Sequence, residues 1–283
     1  MTTLQNKIDF AAIIRVKNAN PNGDPLDGNR PRTNYDGFGE ISDVCIKRKL
    51  RDRLLEAGHS IFVQSDDRNA DGEPSLRARA ESSAHGLGKD AFGRNAKKDA
   101  TAKAACQKWY DVRAFGQVFA FGKGDDASGV SIPVRGPVTI QSAFSVEPVR
   151  DKMSSIQITK SVNNEATESG NKSSDTMGMK HRVDHGVYVF FGSMNPQLAE
   201  RTGFSDDDAA TIKAILPKLF ENDASSARPD GSMEVGKVFW WKHNCKSGQY
   251  SSAKVHKTLS VKNDGSFELG KLEGLETESF DGF

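Results

Sequence analysis

The residues best suited to chemistry in this chain lie in and just after the stretch NANPNGDP, from Asn18 to Pro25. Asp24 and Asp36 carry carboxylates of the kind that bind Mg²⁺, so this region is a candidate site for metal-assisted cleavage of RNA. Asn, Asp, Gly and Pro are also the residues that form tight turns. A turn-forming role for Asp24 and Asp27 is therefore an equally open interpretation.

The histidines do not assemble a recognisable catalytic or metal site in the sequence. His181 and His185 have the i, i+4 spacing of a metal-binding pair, but a strand is predicted to begin there and no third ligand is evident. Neither of the common phosphate-binding glycine motifs is present in its required context. No triad, activated nucleophile or carboxylate pair stands out, which favours a binding scaffold without cofactor or metal over an enzyme.

A strongly basic helix is predicted directly after the loop. The segment DVCIKRKLRDRLLEA at 43–57 has Ser42 as its N-cap and Gly58 as its stop signal. Its apolar residues recur three to four positions apart and face the core. The basic residues between them are then predicted to project toward solvent or a ligand: Lys47, Arg48 and Arg51.

The net charge of +1 is uninformative, but charge is distributed unevenly along the chain. Residues 236–263 contain six lysines and no acidic residue, and basic residues also predominate at 76–113. Acidic residues concentrate at 206–234 and in the tail at 264–283. This segregation predicts either a face that binds a polyanion or head-to-tail complementarity between identical subunits.

Composition bounds the class of protein. A hydrophobic content of 36% is enough for a real core. Three widely spaced cysteines make neither a disulfide framework nor a metal motif. Neither a membrane-spanning run nor a signal-peptide pattern is present. We therefore expect a cytoplasmic protein with no membrane partner.

The order of predicted core elements indicates an α+β fold. The elements are a strand at 7–17 with one buried face, the helix at 43–57, a strand within 131–149, a strand at 184–195, a helix at 205–221 interrupted by Pro217, and a strand at 236–243. This β-α-β-β-α-β order is the ferredoxin-like split arrangement, which RNA-recognition motifs share. We predict a single domain over 1–283, with polar insertions at 65–105 and 150–182 and an acidic tail at 264–283.

Several segments together resemble a known family. Asn18–Pro25, Arg30–Arg32 and Ser42–Asp52 resemble the start of the Cascade backbone subunits of subtype I-C CRISPR systems, in the Csd-two/Csh-two branch of the Cas-seven superfamily. The segments that continue the resemblance along the chain are Asp111–Phe119, Gly136–Val149, Ile158–Glu165, Thr176–Pro196 and VFWWKH at 238–243.

The resemblance implies a hand-shaped, non-catalytic subunit with an RNA-recognition-type palm, fingers at 65–105 and a thumb at 150–182. Copies would stack head to tail along the spacer part of a CRISPR RNA and present its bases for pairing with a target DNA strand in antiviral defence. Other Cascade subunits would complete the complex, and a separate helicase-nuclease would be recruited to it.

The resemblance also implies a set of RNA-binding residues. Relatives tend to carry a basic residue after the Met177-Gly178 pair, where this chain has Met179. Met153 or Met177 could wedge between bases. The implied RNA-binding residues are Asn20, Asn22, Arg32, Lys47, Arg48, Arg51, Lys160, Met177, Lys180 and His181.

Overall fold

The computed structural model describes residues 2–93, 95–123, 126–160 and 176–283, with the backbone alone described at 122–123, 126–130, 159–160 and 176–177. The described strands are β1 (Ile8–Ala19), β2 (Gly23–Asp24), β3 (Arg30–Pro31), β4 (Phe38–Ile41), β5 (Gly116–Lys123), β6 (Asp126–Arg135), β7 (Val138–Ile140), β8 (Ala143–Pro148), β9 (Met153–Lys160), β10 (Thr176–Met194), β11 (Met233–Lys242), β12 (Leu259–Val261), β13 (Phe267–Leu269) and β14 (Thr277–Asp281).

The described α-helices are α1 (Asp43–Glu56), α2 (Leu76–Glu81), α3 (Lys98–Lys108), α4 (Tyr110–Phe115), α5 (Pro196–Thr202), α6 (Asp206–Ile215) and α7 (Ser252–His256). Short 3-10 turns join them at Pro25–Asp27, Asp66–Arg68, Lys89–Phe92, Arg150–Lys152 and Leu216–Lys218. In the described part of the chain, no helix has the length and apolar character needed to cross a membrane.

A large antiparallel sheet organises the molecule, as expected for an α+β chain. Within the described residues it has eight strands, six of them in the order β14-β11-β1-β10-β8-β4, while β7 and β9 also pair with β10. The predicted strand within 131–149 is in fact three strands, since Gly136-Pro137 and Gln141-Ser142 interrupt the chain between β6, β7 and β8. β6 leaves the large sheet and pairs with β5 instead.

The central strand β1 is buried on both faces, so the prediction of one buried face is wrong. Its even-numbered residues, such as Phe10 and Ile14, belong to the main core together with α1 and α6. Its odd-numbered residues Ala11 and Ile13 pack in a separate cluster with residues of the C-terminal segment, such as Val255. Alternation in a strand places neighbours on opposite faces, and here each face has its own apolar cover.

The boundaries of the two helices with clear sequence signals are confirmed. The Ser42 hydroxyl accepts from the Cys45 amide at 3.3 Å and α1 ends just before Gly58. Ser205 and Asp208 form a reciprocal capping box at the start of α6. α6 then gives way to a 3-10 turn that contains Pro217, as the missing amide of proline requires.

The insertion predicted at 65–105 has more core than its composition suggests. Ala80, Phe92 and Ala105 are buried in a second hydrophobic cluster with Phe62 and Trp109. A polar composition therefore does not prevent this stretch from contributing buried residues. The insertion has few large apolar side chains, but they pack in one cluster with residues of α4 and of the β5–β6 pair.

The insertion predicted at 150–182 is continuous with the sheet. β10 extends the buried strand predicted at 184–195 back to Thr176, because β9 supplies an antiparallel partner from Met153↔Val183 to Lys160↔Thr176. The result is a β-hairpin whose base is part of the main sheet. Residues 161–175, at the centre of the predicted thumb, lie outside the described residues.

The acidic tail packs on its own chain. β14 pairs with the edge of β11, where Lys237 meets Asp281 at 2.8 Å and Lys213 of α6 meets Glu278 at 2.5 Å. Charges that are segregated along the sequence therefore meet within the fold. These pairs are exposed and contribute little stability, but they reduce the predicted basic face at 236–263.

A buried carboxylate links β1 to the C-terminal segment. Asp9 is fully buried and lies 2.8 Å from His243 Nε2, 3.1 Å from Lys7 Nζ and 3.4 Å from His256 Nε2. Burial alone would raise the pKa of Asp9, but the hydrogen bond from His243, the adjacent His256 and Ser252 side chains and the charge of Lys7 lower it overall. The carboxylate is therefore held in its charged form.

This geometry predicts a loss of stability in acid. The lowered pKa of folded Asp9 stabilises the native state above the unfolded value of about 4, and that contribution is lost as the pH falls below it. Asp9→Ala removes one partner of a buried charge cluster and should cost about 3–5 kcal/mol. Urea unfolding from pH 7 to pH 3 measures both effects, with the exposed Glu234→Ala as the control. An equal pH dependence in wild type and Asp9→Asn would contradict the assignment.

Candidate nucleic-acid interface

The loop that follows β1 is held by its own asparagines. Asn18 adopts a positive φ of 54° as the strand ends. Asn20 is buried, and its Nδ2 donates to the Asn29 carbonyl at 2.7 Å. This contact closes the loop around the short β2–β3 pair. Asn20 therefore shapes the loop from inside and is not presented to a ligand.

Asn22 joins this loop to the start of α1. Its Oδ1 accepts from the Ser42 amide at 2.9 Å and from the Ser42 hydroxyl at 2.8 Å. The Cys45 thiol donates to the Pro21 carbonyl at 3.8 Å, and burial raises the pKa of that thiol, which keeps it protonated. The loop and the helix N-terminus therefore form one hydrogen-bonded unit.

Asp24 forms a turn, which supports the second interpretation of the loop aspartates. Its carboxylate accepts from the Leu26 amide at 3.1 Å and caps the 3-10 turn at Pro25–Asp27. The same oxygen lies 3.4 Å from Arg32 Nη2. Among the described residues no group of three or more His, Cys, Asp or Glu side chains is arranged to hold a metal ion.

Two of the three basic residues predicted to project from α1 are turned into the protein. Arg51 Nε lies 2.9 Å from Asp111, whose carboxylate also accepts from the Phe62 and Val63 amides at 2.7 and 3.0 Å. Arg48 donates to the Val63 carbonyl at 3.2 Å. The prediction that Arg51 projects freely is wrong, because residues 61–63 and α4 cover that face of α1; Arg48 is half-buried beside the same segment.

Lys47 retains access to a ligand. It pairs with Asp43 one turn earlier at 2.8 Å, and 23% of its side chain is exposed. It also lines a cleft of about 1160 Å³ beside α1. An i, i+4 pair on a helix surface contributes only about 0.3–0.5 kcal/mol, so a phosphate can replace Asp43 at small cost.

The predicted thumb residues fall on opposite faces of the β9–β10 hairpin. His181 is buried, and its Nδ1 lies 2.7 Å from the Ser155 hydroxyl. Lys180 is the neighbour of His181 and is half-buried, so its side chain points to the other face. The side chains of Lys160 and Met177 lie outside the described residues, although their backbones pair within the hairpin.

Several residues that are exposed near this region were not predicted to bind RNA. Leu26 and Tyr35 are almost fully exposed at the tips of the two turns of the loop. Ile156, Ile158 and Met179 are exposed on the hairpin. The sequence signal that could have identified Leu26 and Tyr35 is a large apolar residue inside a polar loop. Tyr35 in particular presents an aromatic face on which a base can stack.

Comparison with known proteins identifies the family. A family model described as CRISPR-associated protein Cas7 matches residues 6–277. This chain belongs to the Cas7 family. A CRISPR-associated protein Cas7 from Haloferax volcanii is 29% identical over 237 residues, which cover 80% of this chain and 67% of the relative.

Solved structures give weaker matches to this Cas7 chain. A "CRISPR RNA-guided surveillance complex, pre-nicking" aligns with a TM-score of 0.47 at 18% identity, over 87% of this chain and 81% of the other. A Type III-B Cmr-beta complex bound to cognate target RNA aligns with a TM-score of 0.43 at 11% identity, over 82% of this chain and 60% of the other.

The contacts of Asn22 predict a structural effect of its removal. Asn22→Ala deletes two hydrogen bonds to Ser42 at the N-terminus of α1, so we expect a loss of about 1–2 kcal/mol in the free energy of unfolding. Urea denaturation followed by circular dichroism measures it. The exposed Asn244→Ala is the matched control, and an equal effect of the two substitutions would show that Asn22 does not join the loop to the helix.

Proposed function

We propose that this chain is a non-catalytic backbone subunit of a type I-C Cascade surveillance complex in antiviral defence. Several copies bind the spacer part of a CRISPR RNA and present its bases for pairing with target DNA. The observation that carries the proposal is the Cas7 family match over residues 6–277. The subtype assignment is supported by the resemblance of NANPNGDP, the α1 segment and the Thr176–Pro196 segment to subtype I-C subunits.

In this proposal the main sheet is the palm, of the RNA-recognition type. The order β11-β1-β10-β8, with α1 and α6 in the two connections, supports a ferredoxin-like arrangement. The region at 65–105, with its separate apolar cluster, forms the fingers. The hairpin of β9 and β10 forms the thumb that reaches the RNA and the next copy.

The exposure of each predicted side chain decides whether we propose it as an RNA contact. Lys47, Lys180 and Arg32 are partly exposed cations, and Tyr35 adds a free aromatic ring. Lys160 and Met177 stay in the proposed set on the family resemblance alone. Asn20, Asn22, Arg48, Arg51 and His181 are engaged within the fold, so we assign them to shaping the groove.

The proposed partners are those of a multisubunit complex. CRISPR RNA binds along head-to-tail copies of this chain, and the target DNA strand pairs with the exposed RNA bases. Other Cascade subunits complete the assembly, which recruits a helicase-nuclease. Cleavage is thereby assigned to another protein, which agrees with the turn-capping role of Asp24.

The first test is the RNA that accompanies the purified protein. We expect co-isolated RNA of uniform length that stays intact during incubation with Mg²⁺, because the chain holds RNA without cutting it. Gel analysis of the extracted RNA before and after incubation measures both properties. Regularly spaced cleavage that disappears in Asp24→Asn or Asp36→Asn would replace the scaffold by the alternative, a Mg²⁺-dependent endoribonuclease.

Phosphate contacts predict a second result. Lys47→Ala combined with Lys180→Ala should weaken binding of unrelated single-stranded RNAs to a similar extent. It should also reduce the salt slope by about 0.7 for each lost contact. Fluorescence anisotropy across a KCl series measures the slope. The control replaces Lys257 and Lys271, which are exposed on the C-terminal segment. If the salt slope of the Lys47→Ala/Lys180→Ala variant equals that of wild type, these two lysines do not contact the RNA.

A further inference from the structure

A cleft of about 1160 Å³ lies beside α1, and most of its lining residues have no part in the function proposed above. Residues of α3 and of the β5–β6 pair line one side, and residues of β7 and α5 line the other. It is therefore situated where the second hydrophobic cluster meets the main sheet. Lys47 at its margin is the one residue it shares with the proposed RNA contacts.

The floor of the cleft is aliphatic. Val118, Val134, Val138 and Ile140 line it, and Val118 is 55% exposed although it lies on a strand. Burial raises the pKa of the Cys106 thiol at the same floor to about 11, so that this group is neutral as well. Val138 and Ile140 are largely buried beneath this surface, at 3% and 7% exposure. An exposed apolar side chain inside a concave site is characteristic of a binding surface.

The rim of the cleft carries positive charge that its neighbours do not neutralise. Lys103, Arg135 and Arg201 are exposed there, and within the described residues none of them forms an ion pair with a carboxylate. Of the two carboxylates on the rim, Glu200 pairs with Lys246 at 2.5 Å. That leaves Asp99 to oppose three cations.

A buried hydroxyl in the cleft lacks a partner. Thr202, the last residue of α5, is 6% exposed and lines the cleft. Its Oγ1 is buried with no hydrogen-bond partner among the described residues. Buried polar groups are nearly always hydrogen-bonded, so an occupant that delivers an amide or carbonyl group here would satisfy it.

These features distinguish between two kinds of anionic occupant. Grooves for single-stranded nucleic acid combine positive charge with aromatic rings on which bases stack. Among the described residues, Phe115 is the one aromatic residue that lines this cleft, and the Arg51 guanidinium covers its ring at 5.2 Å. An aliphatic floor with a cationic rim instead complements a peptide that has apolar side chains on one face and carboxylates on the other.

We propose that this cleft binds an acidic amphipathic peptide segment of a partner protein. Apolar side chains of the segment lie on the valine and isoleucine floor, its carboxylates contact Lys103, Arg135 and Arg201, and a backbone polar group bonds to Thr202. Lys103, Arg135 and Arg201 are not among the proposed RNA contacts, so the site can be tested separately from the proposed function.

The test uses the full chain and four fluorescein-labelled probes. One is a 16-residue peptide with Leu at helical i, i+3, i+4, i+7 spacing and Glu elsewhere. Two matched peptides replace every Glu by Gln or every Leu by Ser, and the fourth probe is a single-stranded RNA of 12 nucleotides. The protein variants are Lys103→Glu/Arg135→Glu/Arg201→Glu and the control Lys242→Glu/Lys257→Glu/Lys271→Glu, whose three lysines are exposed outside the cleft.

We expect the Leu/Glu peptide to lose at least tenfold in affinity in the cleft variant and to be unaffected in the control. Both matched peptides should bind wild type at least tenfold more weakly than the Leu/Glu peptide. Thr202→Val keeps the side-chain volume and tests the hydroxyl in an otherwise intact cleft. This variant should bind the Leu/Glu peptide three- to tenfold more weakly than wild type. Circular dichroism confirms that each variant is folded.

Two results would overturn the proposal. Equal binding of the Leu/Glu peptide to the cleft variant and to the control variant would show that the cleft is not its site. A loss of RNA affinity in the cleft variant, with the affinity for the Leu/Glu peptide unchanged, would assign the cleft to nucleic acid.

Discussion

The pairing of β1 with β10 on one side and β11 on the other is the interaction on which the rest of this fold depends. Because β1 is buried on both faces, its register simultaneously places the helical layer and the C-terminal layer. A slip of one residue would exchange the two sets of side chains and bury the wrong ones. Asp9 marks that register, since its charged carboxylate has partners only on the face where His243 and His256 lie.

The double cover of the sheet limits where a ligand can bind. A sheet with one free face offers that face as a platform, but here the C-terminal segment from α7 to β13 occupies it. Access is left at the loop after β1, at the hairpin of β9 and β10, and in the cleft beside α1. The proposed RNA contacts and the proposed peptide site both follow from this restriction, and they share Lys47 at the boundary between them.

Many charged residues of the chain serve the fold. Arg51 with Asp111 and Arg113 with Asp208 connect elements that are distant in sequence, at 2.9 and 2.8 Å. Such buried or half-buried pairs leave a costly unpaired charge when one partner is removed. The number of basic residues in a segment is therefore a poor guide to its affinity for nucleic acid in this protein.

The sequence by itself determined the features that depend on neighbouring residues. The N-cap of α1 at Ser42 and the break at Pro217 need only local hydrogen bonds and backbone geometry, whereas the role of Asp24 stayed open between two interpretations. The family and the mixed α/β class with a large antiparallel sheet followed from motifs and alternation that stand in the sequence. The individual RNA contacts in the candidate site stay predictions.

Only the tertiary structure decided which side chains are accessible. Arg48 and Arg51 lie on the polar face of α1, and no local pattern shows that residues 61–63 and Asp111 cover it. Equally, the lysines at 236–263 and the acidic tail are separate in the sequence and meet only because β14 pairs with β11. Long-range strand pairing and the packing of distant segments set burial and charge pairing, and neither has a signature in local spacing.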